Sequence, residues 1–138
     1  MNFSPADTRT FIETSLRTLR REFPAAYDLL CAQLTPLEIH LLIEDESIPL
    51  RFRFDQAIIL LAPEQPDAEL RTTRQTILDV IDARLTLDEA ILTDAIRLQG
   101  EVEVLQRFHD ALITYVSGAV RCPSFPELLT RFREAVTS

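Results

Sequence analysis

The chain is poor in the residues that build phosphate loops, metal centres and disulfide frameworks. It holds two glycines, two cysteines and two histidines among 138 residues. Gly100 and Gly118 are far apart, so no glycine-rich phosphate-binding loop is present. Neither Cys31 nor Cys122 belongs to a C-x-x-C motif or lies at ligand spacing from a histidine. We therefore predict no metal, no cofactor and two buried free thiols.

Long apolar runs and positive charge are scarce as well. The longest unbroken apolar run, Ala57 to Ala62, is far shorter than the roughly 20 residues that span a bilayer. Acidic residues outnumber basic ones by 22 to 14, and the net charge of −8 disfavours nucleic acid as a partner. The cluster Arg17, Arg20 and Arg21 is interpreted as a solvated helix face. Residues 1–7 lack the features of a secretion signal, which predicts a cytoplasmic location.

Length and periodicity predict one α+β domain over residues 1–138. Apolar residues recur at helical spacing in 8–34, where Pro24 separates two helices. Residues 37–116 are predicted to form a sheet with helices, and 124–136 a closing amphipathic helix. No internal repeat or domain boundary interrupts this order.

The sheet begins with alternating apolar residues in 37–43 and 48–54, which predict a hairpin around a four-residue turn. In this register Leu41 lies opposite Leu50, and every apolar alternate shares one face. A tight turn at Asp55-Gln56 leads to a third strand, 57–61, which is apolar on both sides and therefore predicted to be central or covered. A fourth strand over 67–72 extends the meander.

The second half carries clear helix-start signals. Thr72 or Thr73 is predicted to cap a helix, and the spacing of Thr86 and Glu89 matches a capping box. A short strand over 96–99 then ends at Gly100 and precedes a long helix.

Candidate catalytic residues are few. The acidic pairs, such as Asp79 with Asp82, are interpreted as helix caps and solvated faces. His40 and His109 are assigned to the surface, and no G-x-S-x-G elbow occurs. These observations favour a protein that is not an enzyme.

The second half also carries a family resemblance. The segment from Ala68 to Thr73 leads into Ile77-Leu78-Asp79-Val80-Ile81, followed by Leu85 to Ala90, Ile96 to Glu101, and Leu105 to Phe108. This arrangement resembles the sterol-carrier-protein family, the non-specific lipid-transfer domains, over residues 37–116. Two positions depart from it: Ala83-Arg84 and Asp94-Ala95 stand where the family usually has glycine.

The resemblance implies a five-stranded, mostly antiparallel sheet with helices on one face and an apolar tunnel between them. Such a tunnel holds a lipid, a sterol or a fatty acyl chain, and the expected function is non-catalytic lipid binding and transport. The candidate wall residues are Ile39, Leu41, Phe52, Ile59, Ile81, Leu105, Phe108, Leu112, Leu129 and Phe132.

Two other interpretations stay open. The same apolar residues can form a filled core, which would make the chain a protein-interaction or scaffold module. An apolar strip of Leu42, Ile58 and Leu60 on the outer sheet face is a possible interface, for instance in a homodimer. A small hydrolase or isomerase ranks third.

Overall fold

A computed structural model of the chain describes residues 8–54 and 56–137. Residues 1–7, used in the argument on secretion, and Asp55 of the predicted tight turn lie outside the described residues. The elements are α1 Thr8–Glu22, α2 Pro24–Leu34, β1 Glu38–Ile43, β2 Glu46–Arg53, β3 Gln56–Ile59, β4 Ala68–Thr72, α3 Arg74–Ile81, α4 Leu87–Leu92, β5 Arg97–Gly100, α5 Val102–Ala119 and α6 Phe125–Thr137.

The five strands form one mixed sheet in the order β3-β2-β1-β4-β5. The β1–β4 pair is parallel and the other three pairs are antiparallel, which confirms a mostly antiparallel five-stranded sheet. The predicted meander holds for the first three strands only, because β4 lies beside β1. The prediction that the third strand is central or covered is therefore wrong, since β3 is an edge strand and its Ile58 is 36% exposed.

The segment from β3 to β4 must cross the sheet to reach its position beside β1. Glu38 on β1 holds this segment, since its carboxylate accepts hydrogen bonds from the backbone N–H groups of Glu64 at 2.8 Å and Gln65 at 3.4 Å. Glu38 is only 4% exposed as a result. The crossing segment therefore covers part of the outer sheet face.

Both hairpins differ from their predicted register by two residues. Leu41 lies opposite Ile48 rather than Leu50, and Leu50 lies opposite Ile59 rather than Leu61. The first turn contains only Glu44 and Asp45 between the paired residues. A shift of two preserves the face of every side chain, because the side-chain period of a strand is two. The predicted inner face is thus retained with different partners.

Local signals place the helix starts correctly. The structure confirms that α2 begins at Pro24 and that Thr73 caps α3 through the N–H of Thr76 at 3.1 Å. Both bonds of the predicted capping box are present, at 3.0 Å to the Thr86 hydroxyl and 2.9 Å to the Glu89 carboxylate. These contacts lie within four residues of sequence, which is why the sequence alone predicts them.

The helices pack on one face of the sheet and enclose the core. Phe11 of α1 stacks on Phe132 of α6 with ring centroids 4.2 Å apart. Cys31 and Cys122 are both buried, as predicted. Gly118 allows α5 to approach α2, because a Cβ added there would lie 2.9 Å from the Cβ of Ala26.

Candidate functional site

Two apolar cavities lie between the helices and the inner face of the sheet. The first, of about 80 Å³, is bounded by α1, α2, β1, β2 and α5, and we call it the α2-side cavity. The second, of about 90 Å³, is bounded by α1, β1, β4, α3, α4, α5 and the residue before β5, and we call it the α3-side cavity. Among the described residues, no Asp, Glu, Lys, Arg or His side chain lines either one.

Six of the ten predicted wall residues line these cavities. Ile39, Phe52 and Phe108 line the α2-side cavity, Ile81 lines the α3-side cavity, and Leu41 and Leu112 line both. The sheet residues lie at the cavities because the register shift kept them on the inner face.

The other four predicted wall residues are not among the lining residues of either cavity. Phe132 is 1% exposed and packs on Phe11, in a filled part of the core. Ile59, Leu105 and Leu129 are half-buried and pack against the core.

Residues of the first two helices form much of the wall, which the sequence interpretation did not include. Ile12 and Leu16 of α1 and Leu30 and Leu34 of α2 line the α2-side cavity. Their helical spacing marked them as buried, but periodicity does not tell which surface a helix packs against.

A neutral polar pair, Ser15 and Tyr115, lies beside the cavities. The Tyr115 hydroxyl is 2.5 Å from Ser15 Oγ, and the Ser15 hydroxyl donates to the carbonyl of Ile12 at 2.8 Å. Both contacts are hydrogen bonds only if Tyr115 donates to Ser15, since each hydroxyl has one proton. Burial raises the pKa of Tyr115 to about 12, although the bond with Ser15 acts to lower it. The phenol is therefore uncharged at neutral pH.

Charged side chains hold the helices around the cavities from outside. Arg107 of α5 donates to the carbonyls of Gln33 and Thr35, at 2.8 and 2.6 Å, where α2 ends. Arg133 of α6 makes two bonds to Asp82 after α3, at 2.6 and 2.8 Å, and this ion pair lowers the pKa of Asp82. These hydrogen bonds and ion pairs hold the helices in place, and their charged groups stay outside the apolar interior.

The histidines and the predicted interface residues lie away from the cavities. His40 is 2.7 Å from Ser47 Oγ, and His109 Nε2 is 2.8 Å from Asp88. Ile58 is 36% exposed on the edge strand, whereas Leu42 and Leu60 are half-buried.

This geometry defines a class of α+β domains in which one helix layer and a five-stranded sheet enclose apolar space. The chain belongs to the SCP-2 sterol transfer family, whose model matches residues 19–112. That range runs from the end of α1 through the whole sheet to the middle of α5. The family resemblance drawn from the sequence is thereby confirmed.

Solved structures show the same fold. The chain is similar to one described as a UbiJ-SCP2 ubiquinone synthesis protein, with 21% identity, a TM-score of 0.63, and coverage of 89% of this chain and 98% of that one. A sterol carrier protein domain of Helicoverpa armigera gives 11% identity and a TM-score of 0.60 over 85% and 95% of the two chains. A Thermus thermophilus protein described as possibly a sterol carrier protein gives 16% and 0.56 over 91% and 94%.

Sequence identities of this size show a shared fold but not a shared ligand or activity. No curated protein matches the sequence significantly. Within the described residues, no helix is both long and apolar enough to cross a membrane.

Proposed function

We propose that the protein is a non-catalytic carrier that binds an apolar or amphipathic lipid between its sheet and its helices. The observation that carries this proposal is the pair of apolar cavities on the inner sheet face of a chain from a sterol transfer family. An uncharged interior favours sterols, fatty acyl chains and similar ligands, because burying an isolated charge there would be costly.

The apolar surface that a ligand buries sets the scale of its affinity. About 25 cal/mol is gained per Å² of apolar surface buried, so a chain burying about 300 Å² contributes on the order of 7 kcal/mol before association costs. A net gain of about 7 kcal/mol corresponds to a Kd of about 10 μM, so micromolar binding requires further apolar burial to offset the cost of association.

The hydroxyl groups at the cavities support binding rather than catalysis. Thr72 donates to the carbonyl of Ala95 at 2.8 Å, and Ser15 donates to the carbonyl of Ile12. A nucleophilic hydroxyl needs a base within hydrogen-bond reach, and these two donate to backbone carbonyls instead.

The test is direct binding by protein purified without added lipid. We expect saturable micromolar binding of a fluorescent fatty acid, displaced by a sterol or by an isoprenoid quinone. A ligand at about 100 times its Kd should raise the free energy of unfolding by about 2.7 kcal/mol. If none of these probes binds, the scaffold interpretation with a filled interior replaces the carrier.

A matched pair of substitutions separates ligand exclusion from misfolding. Val116→Phe fills the α3-side cavity, whereas Ile113→Phe enlarges a residue that is 47% exposed on the same helix. We expect the first to weaken binding of the fluorescent fatty acid and the second to leave it unchanged, with both proteins folded.

A homodimer through Leu42, Ile58 and Leu60 remains a prediction independent of ligand binding. The exposure of Ile58 on an edge strand supports it.

A further inference from the structure

The α2-side and α3-side cavities share four lining side chains, Ile12, Leu41, Leu112 and Tyr115. We call these four residues the partition. A cavity of 80 or 90 Å³ is several times smaller than the roughly 300–1,000 Å³ of ordinary small-molecule binding sites. A long apolar chain therefore fits only if a partition residue moves and joins the two cavities.

Three of the four partition residues are held in place. Tyr115 is fixed by its 2.5 Å hydrogen bond to Ser15, whose own proton is used by the Ile12 carbonyl. Leu41 lies on β1 with a strand on either side, opposite Ile48 and Leu70, and is 8% exposed. Ile12 is 9% exposed, and a β-branched side chain has one strongly preferred rotamer in a helix.

Leu112 is the partition residue with the most freedom. It is half-buried on α5, and a leucine in a helix can adopt either of two χ1 rotamers because it is not branched at Cβ. A change of its rotamer displaces the side chain without breaking a hydrogen bond.

We infer that Leu112 determines specificity by separating the two cavities and setting the length of apolar chain that the protein accepts. This inference rests on the proposed carrier function and concerns the same site. In the wild-type protein a short chain occupies one cavity, and a longer one must first displace Leu112. Each methylene that becomes buried should improve affinity about fourfold, so the cost of displacement appears as a plateau in affinity against chain length.

The experiment measures this chain-length dependence with straight-chain alcohols of about eight to about sixteen carbons, displacing a fluorescent fatty acid. Leu112→Ala removes most of the side chain that we infer to separate the two cavities. Leu105→Ala is the matched control, because Leu105 is half-buried on the same helix and is not among the lining residues. We expect the long-to-short affinity ratio to rise at least about tenfold in Leu112→Ala and to stay unchanged in Leu105→Ala.

A second variant covers the case in which Leu112→Ala fails to fold. Leu112→Ile keeps the volume but restricts the rotamer, so we expect it to fold normally and to lower the long-to-short ratio. Unchanged ratios in the folded position-112 variants would overturn the role of Leu112 while leaving the carrier intact. If the wild-type protein binds none of these ligands, the proposed function itself is overturned.

Discussion

At the residue scale, four non-glycine residues in the described part of the chain, Ala83 and Asp94 among them, adopt a backbone conformation that glycine accepts more easily. Ala83 has a φ of 61° and Asp94 a φ of 63°. These are the two segments in which the sequence departs from the glycines usual in the family. Ala83 follows the last turn of α3 and donates its N–H to the carbonyl of Val80 at 3.1 Å. Helices commonly end with a left-handed residue at this position, usually glycine.

Replacing Ala83 by glycine should therefore stabilise the fold. The left-handed region costs an L-residue about 1–2 kcal/mol, which exceeds the extra unfolded-state entropy of glycine, so we expect Ala83→Gly to add about 0.5–1 kcal/mol. Ala32→Gly, at an exposed position within α2, should instead lose about 1 kcal/mol. Urea denaturation measures both, and a lower midpoint for Ala83→Gly would show that the turn is not strained.

Single residues are predictable from the sequence when their partners are near in the chain. The caps at Thr73 and Thr86 were predicted because each contact spans three residues. The bond between Ser15 and Tyr115 joins positions 100 residues apart, and no local pattern indicates it.

At the scale of elements, one ion cluster joins the starts of α1 and α3 to the β1–β2 turn. Arg74 donates to Glu44 and to Glu46, both at 2.5 Å. Glu46 also accepts the backbone N–H groups of Thr8 at 2.9 Å and Arg9 at 3.2 Å, so it caps α1. Burial by itself would raise the pKa of Glu46, but these hydrogen bonds outweigh it and the pKa lies below its ordinary value of 4.5.

The lowered pKa of Glu46 predicts a pH-dependent contribution to stability. A carboxyl group whose pKa is lower in the folded state stabilises the fold above its unfolded pKa, and this contribution is lost as the pH falls through the folded value. We expect Glu46→Gln to cost about 1–2 kcal/mol near neutral pH. The difference from wild type should shrink at acidic pH, as the pH falls through the lowered pKa and Glu46 itself becomes protonated.

Urea denaturation at neutral and at acidic pH tests this expectation. Glu127→Gln is the control, because Glu127 is 74% exposed and its ion pair with Arg131 lies on the surface of α6. Such pairs contribute at most about 0.5 kcal/mol. A Glu46→Gln difference that is the same at both pH values would contradict a coupling to ionisation.

The same cluster explains why the hairpin register was predicted only in part. Alternation of apolar residues correctly assigned each side chain in β1 and β2 to a face. The turn length was wrong because Glu44, with a φ of 57°, is held by Arg74 from 30 residues away. This long-range contact favours a two-residue turn. The local sequence contains no glycine and therefore does not indicate such a turn.

At the scale of the whole molecule, the sheet order and the cavities were the least predictable features. For β4 to pair in parallel with β1, the chain must cross β2 and β1 after it leaves β3. Such a crossing produces no periodic pattern of apolar residues in the sequence. The family resemblance predicted how the helix layer and the sheet are arranged. The alternation of apolar residues along the strands predicted three sheet residues that line the cavities, Ile39, Leu41 and Phe52. The share of the wall from α1 and α2 depends on helix packing, which one sequence does not specify.

The last prediction concerns the outer face of the sheet. If two copies pair there, Ile58 is the residue to change, since it is 36% exposed and lies opposite Arg51 on β2. Ile58→Lys should leave the fold intact, because lysine is common on edge strands, and should convert a dimer to a monomer in sedimentation velocity. Leu61→Lys is the control, since Leu61 is 99% exposed just after β3 and lies outside the strip.

Each copy carries a net charge of −8, so added salt should strengthen the wild-type dimer by screening their repulsion. A wild-type protein that stays monomeric at every concentration and salt level would mean that the segment crossing from β3 to β4 covers enough of this face to leave no interface.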